Sequence, residues 1–538
     1  MYLVRNVKFP FSLPAPHRWP IASLLLFACL LYIVFPTKQF YWDGVKFALR
    51  IQSFPHSPQY WTDPNHLIYT FLGGVPHYLL QSVGLDISPL CLLQTVDILA
   101  GLAGILFFHA LALHIRVSPL TRFAATVAFA FSAAWWNYSV DISSYVVSTD
   151  FLMLSALILL RLPRRWPVLL AASLAIATLL HQIAVIFVAV PIMLAVRNRQ
   201  LAKSVSLSLL SAGAISFGAQ IVAYIASGPD SVAIPSGVVP LRVYDAATEP
   251  GFLGWLFAHS TDSGFSWSIP HAIAGLATGT LKSFFGGKLS DFRYVPIVVP
   301  IAASLILVCA IVILHQRRRW LLQLAGGPAP SAPEAPAHVL TVLSVWIAAY
   351  IVLLFFWMPG SSFYRLFYFP PLLLGLAKLA DARVRLRPVT AFSVLVLCIA
   401  WNFVMYVFPH AQAERNEPLM AALRLREAAE PDTQVFYRDF NTDNWLIRYV
   451  NRDTGWFAYS GLASLPAGQA VWMEGTAWEA LQHSTSRSGC IIVLRDLSYQ
   501  GERRNFTFHQ VRRPPACTAP QASILSVSPA ASVSTAAR

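Results

Sequence analysis

Charge is scarce in this chain of 538 residues. Only 12% are Asp, Glu, Lys or Arg against 56% hydrophobic, too little polar surface to coat ordinary water-soluble domains. Cysteines number six, and none has metal-ligand spacing, which excludes a zinc framework legible from sequence. Cys29, Cys91, Cys309 and Cys398 lie in or beside apolar runs, whereas Cys490 and Cys517 lie in the polar C-terminal part. Those last two are either a disulfide, if that part lies outside the cytoplasm, or two unrelated thiols. Acidic residues are outnumbered 25 to 39 by Lys and Arg, a net charge of +14. The basic residues nevertheless fall in short clusters between apolar runs, so there is no continuous patch for nucleic acid. Internal repeats are absent, and no small-residue cleavage pattern follows the first apolar run, which therefore reads as a retained helix and not a removed signal peptide.

Long apolar runs fill the chain instead. Several stretches of about 18 or more residues carry no charge, the length a helix needs to cross a hydrocarbon layer of about 30 Å. Lipid offers no other way for such segments to satisfy their backbone, so the sequence predicts an α-helical polytopic membrane protein with about eleven transmembrane helices. The runs are Trp19–Pro36, Ser88–Ile115, Leu120–Tyr138, Ser144–Leu160, Pro167–Leu180, Ile183–Val196, Ser204–Ala226, Val295–Leu314, Val339–Trp357, Leu366–Ala380 and Val389–Phe408. The fifth and sixth are short enough for a half-inserted hairpin. With residues 1–18 in the cytoplasm, every short inner turn is basic: Arg116 and Arg122; Arg161, Arg164 and Arg165; Arg197, Arg199 and Lys203; Arg317, Arg318 and Arg319; Arg383, Arg385 and Arg387. A shift by one helix would break this positive-inside pattern.

Three hydrophilic segments then fall on the outer side: loops 37–87 and 227–294, and everything after Pro409. Residues 326–337, rich in Pro and Ala, read as a linker between two helical subdomains. Past residue 408 the pattern changes to short alternating elements: helix-like Glu414–Glu430, strand-like Gln434–Phe440, helix-like Asp443–Arg452, and strand-like Ala470–Met473 and Cys490–Leu494. They predict a small soluble α/β domain over 409–513, outside the cytoplasm. The tail 514–538, rich in Ala, Ser and Pro, reads as disordered.

Chemistry-bearing residues recur at the predicted outer level. Phe40-Tyr41-Trp42-Asp43-Gly44 follows the first run directly, and Asp63-Pro64-Asn65-His66-Leu67-Ile68-Tyr69 comes next. Asp43, framed by aromatics at the water boundary, suits a general base; the competing reading is a solvated carboxylate or a helix cap. His66 either contacts substrate or merely satisfies loop backbone. Asp141, in Trp135-Trp136-Asn137-Tyr138-Ser139-Val140-Asp141, is a second acidic candidate or a helix N-cap, sharing a helical face with Tyr145 and Ser148. His181 sits between the short fifth and sixth runs as a phosphate ligand, an orienter of a carboxylate or a satisfied interior residue. Tyr364 and Arg365 open the tenth run, Arg365 as a phosphate ligand or an interfacial anchor. Lys282 and Arg293, with Arg242 and Lys288, flank a possible interfacial helix, His271–Phe285. Asp97 and Asp150 lie inside runs, in their outer halves, where ionisable groups face the bundle interior or a cavity, and both read as structural or water-cavity residues ahead of direct chemistry.

With Asp43 directly after the first helix and His66 to Tyr69 after it, the membrane part 19–408 resembles the GT-C superfamily of glycosyltransferases, which includes protein O-mannosyltransferases and the aminoarabinose transferases that modify lipid A. Asn65-His66-Leu67 stands where the family has His-Pro-Pro. The resemblance implies a polyprenyl-phosphate sugar as donor, a glycan, lipid or protein as acceptor, and the plasma membrane, bacterial inner membrane, as location. It implies an enzyme in which Asp43 deprotonates the acceptor and, as GT-C members often place an acidic residue there, Asp141 joins the catalytic pair. His66, Tyr69, His181, Tyr364, Arg365, Lys282 and Arg293 would bind substrate. No cofactor is certain. Some members use a divalent metal ion, for which Asp43, Asp141 and His181 are the available ligands. The competing functions are a transporter or flippase of lipid-linked material, which would have paired halves with broken helices, and a membrane scaffold.

Overall fold

The computed structural model describes residues 15–53, 55–57, 61–63, 65–162, 165–227, 269–288, 295–316, 337–383, 388–438, 442–484 and 491–515. Cys490, Cys517, Arg242, Arg293, most of the loop 227–294, the linker and the tail lie outside them. The chain divides into two compact units, one ending at Asn416 and one resuming at Glu417.

The first unit is helical. In order come α1 (Ala15–Val34), α2 (Trp42–Ser53), α3 (Tyr69–Ser82), α4 (Pro89–His114), α5 (Pro119–Ala130), α6 (Ala133–Ser139), α7 (Ser144–Arg161) and α8 (Trp166–Leu180). A 3-10 turn, Gln182–Val188, leads into α9 (Ala189–Arg197) and α10 (Ala202–Ser227). Further on lie α11 (Ile269–Phe284), α12 (Val298–Gln316), α13 (Ala337–Trp357), the 3-10 turn Tyr364–Phe367, α14 (Phe369–Arg383) and α15 (Pro388–Asn402). Among the described residues five helices are long and apolar enough to cross a membrane: Pro89–His114, Ser144–Arg161, Arg199–Ala223, His338–Trp357 and Ala391–His410. Shorter apolar helices cover Pro20–Val34, Trp166–Leu180, Gln182–Arg197 and Val298–Ala310.

α4 and α7 are apolar on all sides, the mark of a helix surrounded by other helices or lipid. α4 begins where Ser88 Oγ accepts the Cys91 N–H at 3.2 Å with Pro89 at the first helical position, a strong start signal. One core runs through α1, α4, α5, α6, α7, α8, α13 and α14, with Tyr32, Phe108, Phe129, Trp135, Trp136, Met153, Trp346 and Phe367 inside it. At Gly104 an added Cβ would collide with the Trp135 ring, so the missing side chain is what lets the indole lie against α4.

The single span expected over Leu120–Tyr138 is instead two helices. Ser132 makes the break tolerable, because its hydroxyl donates to Phe129 C=O at 2.9 Å and its Oγ accepts the Trp135 N–H at 3.3 Å. One side chain thus satisfies backbone groups on both sides. The tenth run likewise starts as a 3-10 turn at Tyr364, not as α-helix at Leu366. The segment 37–87 carries two helices, α2 and α3, that the sequence pattern did not reveal.

The second unit is α/β, as expected. Helix α16 (Glu417–Ala428), β1 (Gln434–Tyr437), α17 (Thr442–Val450), β2 (Gly455–Ala458), β3 (Ala470–Glu474), α18 (Gly475–Ser484), β4 (Ile492–Gln500) and β5 (Asn505–Arg512) build a five-stranded sheet of order β2-β1-β3-β5-β4. β1 runs parallel to β2 and β3; β5 is antiparallel to β3 and β4. The period of two sorts the strands: Val435, Tyr437 and Trp472 pack with α16 and α17, whereas Phe436, Val471 and Met473 pack with α18,. β2, β5 and α18 were not foreseen, although Asn505–Arg512 alternates as a half-buried strand should.

Gly44 sets how closely α2 approaches the turn before α7, because a Cβ there would stand 2.6 Å from both Cβ and the carbonyl oxygen of Ile142. Gly44→Ala is therefore expected to destabilise the membrane unit by about 1–3 kcal/mol through overpacking. Thermal unfolding in detergent checks this; an unshifted Tm would contradict the close approach.

Candidate functional site

Five separate segments converge on one cluster. Asp43 occupies the first turn of α2 and is buried. The α2 spacing places Asp43, Lys46, Phe47 and Arg50 on one face. Lys46 Nζ and Arg50 Nη1 lie 2.9 and 3.0 Å from Asp63 Oδ2, and Arg50 Nη1 also donates to Thr62 C=O at 2.6 Å. Burial alone would raise the Asp63 carboxyl, but Lys46 and Arg50 outweigh it and hold it well below the usual carboxylate range,. Two cations thus face one carboxylate, leaving positive charge in excess one turn from Asp43.

His66 stands between these elements. Its Nδ1 lies 2.7 Å from Ser144 Oγ and 3.2 Å from Leu180 C=O, and its Nε2 lies 3.9 Å from Asp43 Oδ2. Burial pushes the imidazole down to about 4 despite the opposing pull of Asp63. His66 is therefore neutral at pH 7, and the contact with Asp43 is a polar approach and not an ion pair. His181 packs edge-on against His66 with ring centroids 4.6 Å apart. His181 Nδ1 accepts the Ile183 N–H at 3.1 Å, which assigns the proton of the neutral ring to Nε2.

An aromatic wall closes the cluster. Tyr145 lies 4.7 Å from His181 and 5.7 Å from Tyr364 between ring centroids, and Tyr364 lies 5.6 Å from His181. The Tyr41 and Tyr145 hydroxyls are 3.4 Å apart. Tyr41 and Tyr364, both raised first by burial, are raised further by the negative charge of Asp43, so both rings flank that carboxylate. Asp141 Oδ1 accepts the N–H groups of Tyr41 at 3.1 Å and Ile142 at 2.7 Å. Burial pushes its carboxyl up to about 7, and those two donors offset part of the rise.

Of the residues expected from sequence, Asp43, His66, His181 and Tyr364 meet here, and Asp141 joins them through Tyr41. Tyr69 turns away: its hydroxyl donates to Asp97 Oδ2 at 2.6 Å. Arg365 is buried, with Nη2 donating to the carbonyls of Gly275 at 2.9 Å and Pro359 at 2.6 Å. Its Nε and Nη1 are also buried and have no hydrogen-bond partner among the described residues. Burial pulls its guanidinium below the ordinary value, an unfavourable state that an anion would relieve. Lys282 is exposed on α11, and Arg293 lies outside the described residues. Lys46, Arg50, Ser144 and Tyr145 were missed as site residues. The spacing of three and four from Asp43 through Lys46 to Arg50 was the available signal for the first two. Among the described residues no three His, Cys, Asp or Glu side chains gather in a way that would hold a metal ion.

The depressed His66 pKa has a sign that can be checked. The unfolded chain takes up this proton near pH 6.5, the folded one only near 4, so folding stability falls as pH drops from 6.5 to 4. His66→Gln is expected to flatten that part of the slope relative to wild type, read as Tm against pH in detergent. Parallel slopes for the two proteins would contradict a buried neutral imidazole.

No family model and no curated protein matches the sequence. Among solved structures, the crystal structure of ArnT from Cupriavidus metallidurans bound to undecaprenyl phosphate superposes with a TM-score of 0.53 at 11% identity, covering 91% of this chain and 97% of that one. The crystal structure of the same protein in the apo state gives 0.47 at 13% identity over 92% and 98%. The chain therefore has an ArnT-like fold, with helices apolar enough to cross a membrane and a small C-terminal α/β unit.

Proposed function

We propose that this protein is a membrane glycosyltransferase of the GT-C type, moving a sugar from a polyprenyl-phosphate carrier to an acceptor hydroxyl or amine on the outer face of the membrane. The observation that carries the reading is the buried Asp43 carboxylate, walled by Tyr41, Tyr364 and His66 and one turn from excess positive charge. The fold supports it, since its structural neighbour was solved with undecaprenyl phosphate bound.

In this mechanism Asp43 takes the proton of the acceptor as its oxygen or nitrogen attacks the anomeric carbon. The bond from that carbon to the phosphate oxygen breaks, the polyprenyl phosphate leaves with the electron pair, and the anomeric configuration inverts. Negative charge grows on the departing phosphate, so cations must meet it. Lys46, one turn from Asp43 on α2, is one such cation, and Arg365 keeps two nitrogens with no hydrogen-bond partner among the described residues for an anion. The His181 Nε2–H and the Tyr364 hydroxyl are suited to hydroxyls of the sugar. Asp141, poised near neutral pH, is the second acidic group.

Asp43→Asn keeps the shape and removes the base. Purified protein with radiolabelled polyprenyl-phosphate sugars and a membrane lipid extract as acceptor is expected to lose at least about 100-fold in transfer rate, with donor binding retained. Wild-type turnover in the variant would remove Asp43 as the base. Movement of intact lipid-linked sugar across vesicle membranes without bond cleavage would instead favour a flippase.

A further inference from the structure

Asp97 takes no part in the bond-breaking steps above, yet it is fully buried two turns into a membrane helix. A carboxyl group there is costly, and only one of its oxygens is used: Oδ1 is buried with no hydrogen-bond partner among the described residues. Stability alone gives poor grounds for such a residue, since an apolar side chain would fill the space without the desolvation.

Its other oxygen has two partners. Oδ2 accepts the Tyr69 hydroxyl at 2.6 Å and the Ser143 backbone N–H at 2.5 Å. Tyr69 opens α3, and its own N–H donates to His66 C=O at 3.2 Å, so holding the Tyr69 ring holds the turn that carries His66. Ser143 caps α7 by accepting the Tyr145 N–H at 3.3 Å. The next residue, Ser144, meets His66 Nδ1, and Asp141 stands two residues earlier. One turn before Asp97 on α4, Gln94 Nε2 donates to Val140 C=O at 2.7 Å, gripping the same turn from its other end. The backbone under His66 and the hydroxyl beside its ring therefore both trace back to one carboxylate oxygen.

We propose that Asp97 is the positioning residue of the site, fixing His66 and the Asp141–Tyr145 segment around Asp43 through Tyr69 and Ser143. This rests on the transferase reading, because positioning is defined by the reaction it serves. What matters is the acceptor oxygen and its place, not the charge. An asparagine carbonyl oxygen has two lone pairs and accepts the same two donors.

The test compares Asp97→Ala, Asp97→Asn and Tyr69→Phe in full-length protein in detergent, with steady-state transfer and amide hydrogen exchange measured on each. Asp97→Ala is expected to lower kcat per folded molecule on the order of 100-fold with donor KM unchanged. Asp97→Asn is expected to stay within roughly fivefold of wild type, and Tyr69→Phe to fall between them. Exchange in peptides covering 65–69 and 140–145 should quicken in Asp97→Ala but not in Asp97→Asn. A wild-type kcat for Asp97→Ala, equal losses in Asp97→Ala and Asp97→Asn, or a loss confined to donor KM or to the yield of folded protein would each overturn the proposal. If the wild-type protein transfers no sugar, the transferase reading fails by itself, and unaltered exchange in Asp97→Ala would then count separately against the anchoring.

Discussion

In a bilayer the backbone has no water to turn to, so wherever a helix stops, each freed N–H and C=O must find its partner inside the protein. The polar side chains of the membrane unit gather where this happens. Between α6 and α7, Gln94 takes the carbonyl of Val140, Asp141 the N–H of Ile142 and Asp97 the N–H of Ser143. After α8, His181 takes the N–H of Ile183, and the Leu180 carbonyl lies against His66 Nδ1. The side chains that repair the breaks are largely those that surround Asp43. Interruption of the helices thus does two things at once: it brings polar groups to a depth where apolar runs would otherwise exclude them, and it fixes them by hydrogen bonds to the backbone.

Electrostatics then sorts these groups by role. Asp63, paired with Lys46 and Arg50, stays charged and leaves a local surplus of positive charge. His66 stays uncharged because burial outweighs its acidic neighbour. Asp141, held by the Tyr41 and Ile142 backbone donors, sits near neutrality. A pair of cations facing Asp63, with two neutral imidazoles beside Asp43, keeps the cluster from accumulating negative charge.

Much of this was legible in the sequence. α4, α7 and α13 appear within a few residues of their apolar runs, because a long uncharged run has one stable outcome in lipid. The position of Asp43 after the first helix and of His66 after it was legible from their aromatic and polar surroundings. The break at Ser132 was not, because apolar residues continue on both sides and only the capping geometry distinguishes it. Lys46 and Arg50 were passed over since two cations in a hydrophilic loop read as solvated until α2 and its buried partner Asp63 are known. Arg365 was singled out by its place before an apolar helix, but its bond to the Gly275 carbonyl depends on α11, whose approach no local pattern encodes. In the second unit, β2 is too short to signal itself, while β5 had the right alternation and lacked only flanking context.

The account turns on whether a polyprenyl phosphate lies beside Asp43. A cryo-electron microscopy structure of the full-length protein with undecaprenyl phosphate tests it most directly. The phosphate is expected within hydrogen-bonding distance of Lys46 or Arg365, with its free oxygens toward those cations and the anomeric carbon between it and Asp43, and with the prenyl chain running out among the membrane helices. A bound carrier whose phosphate rests elsewhere, with Asp43, His66 and His181 out of its reach, would contradict it.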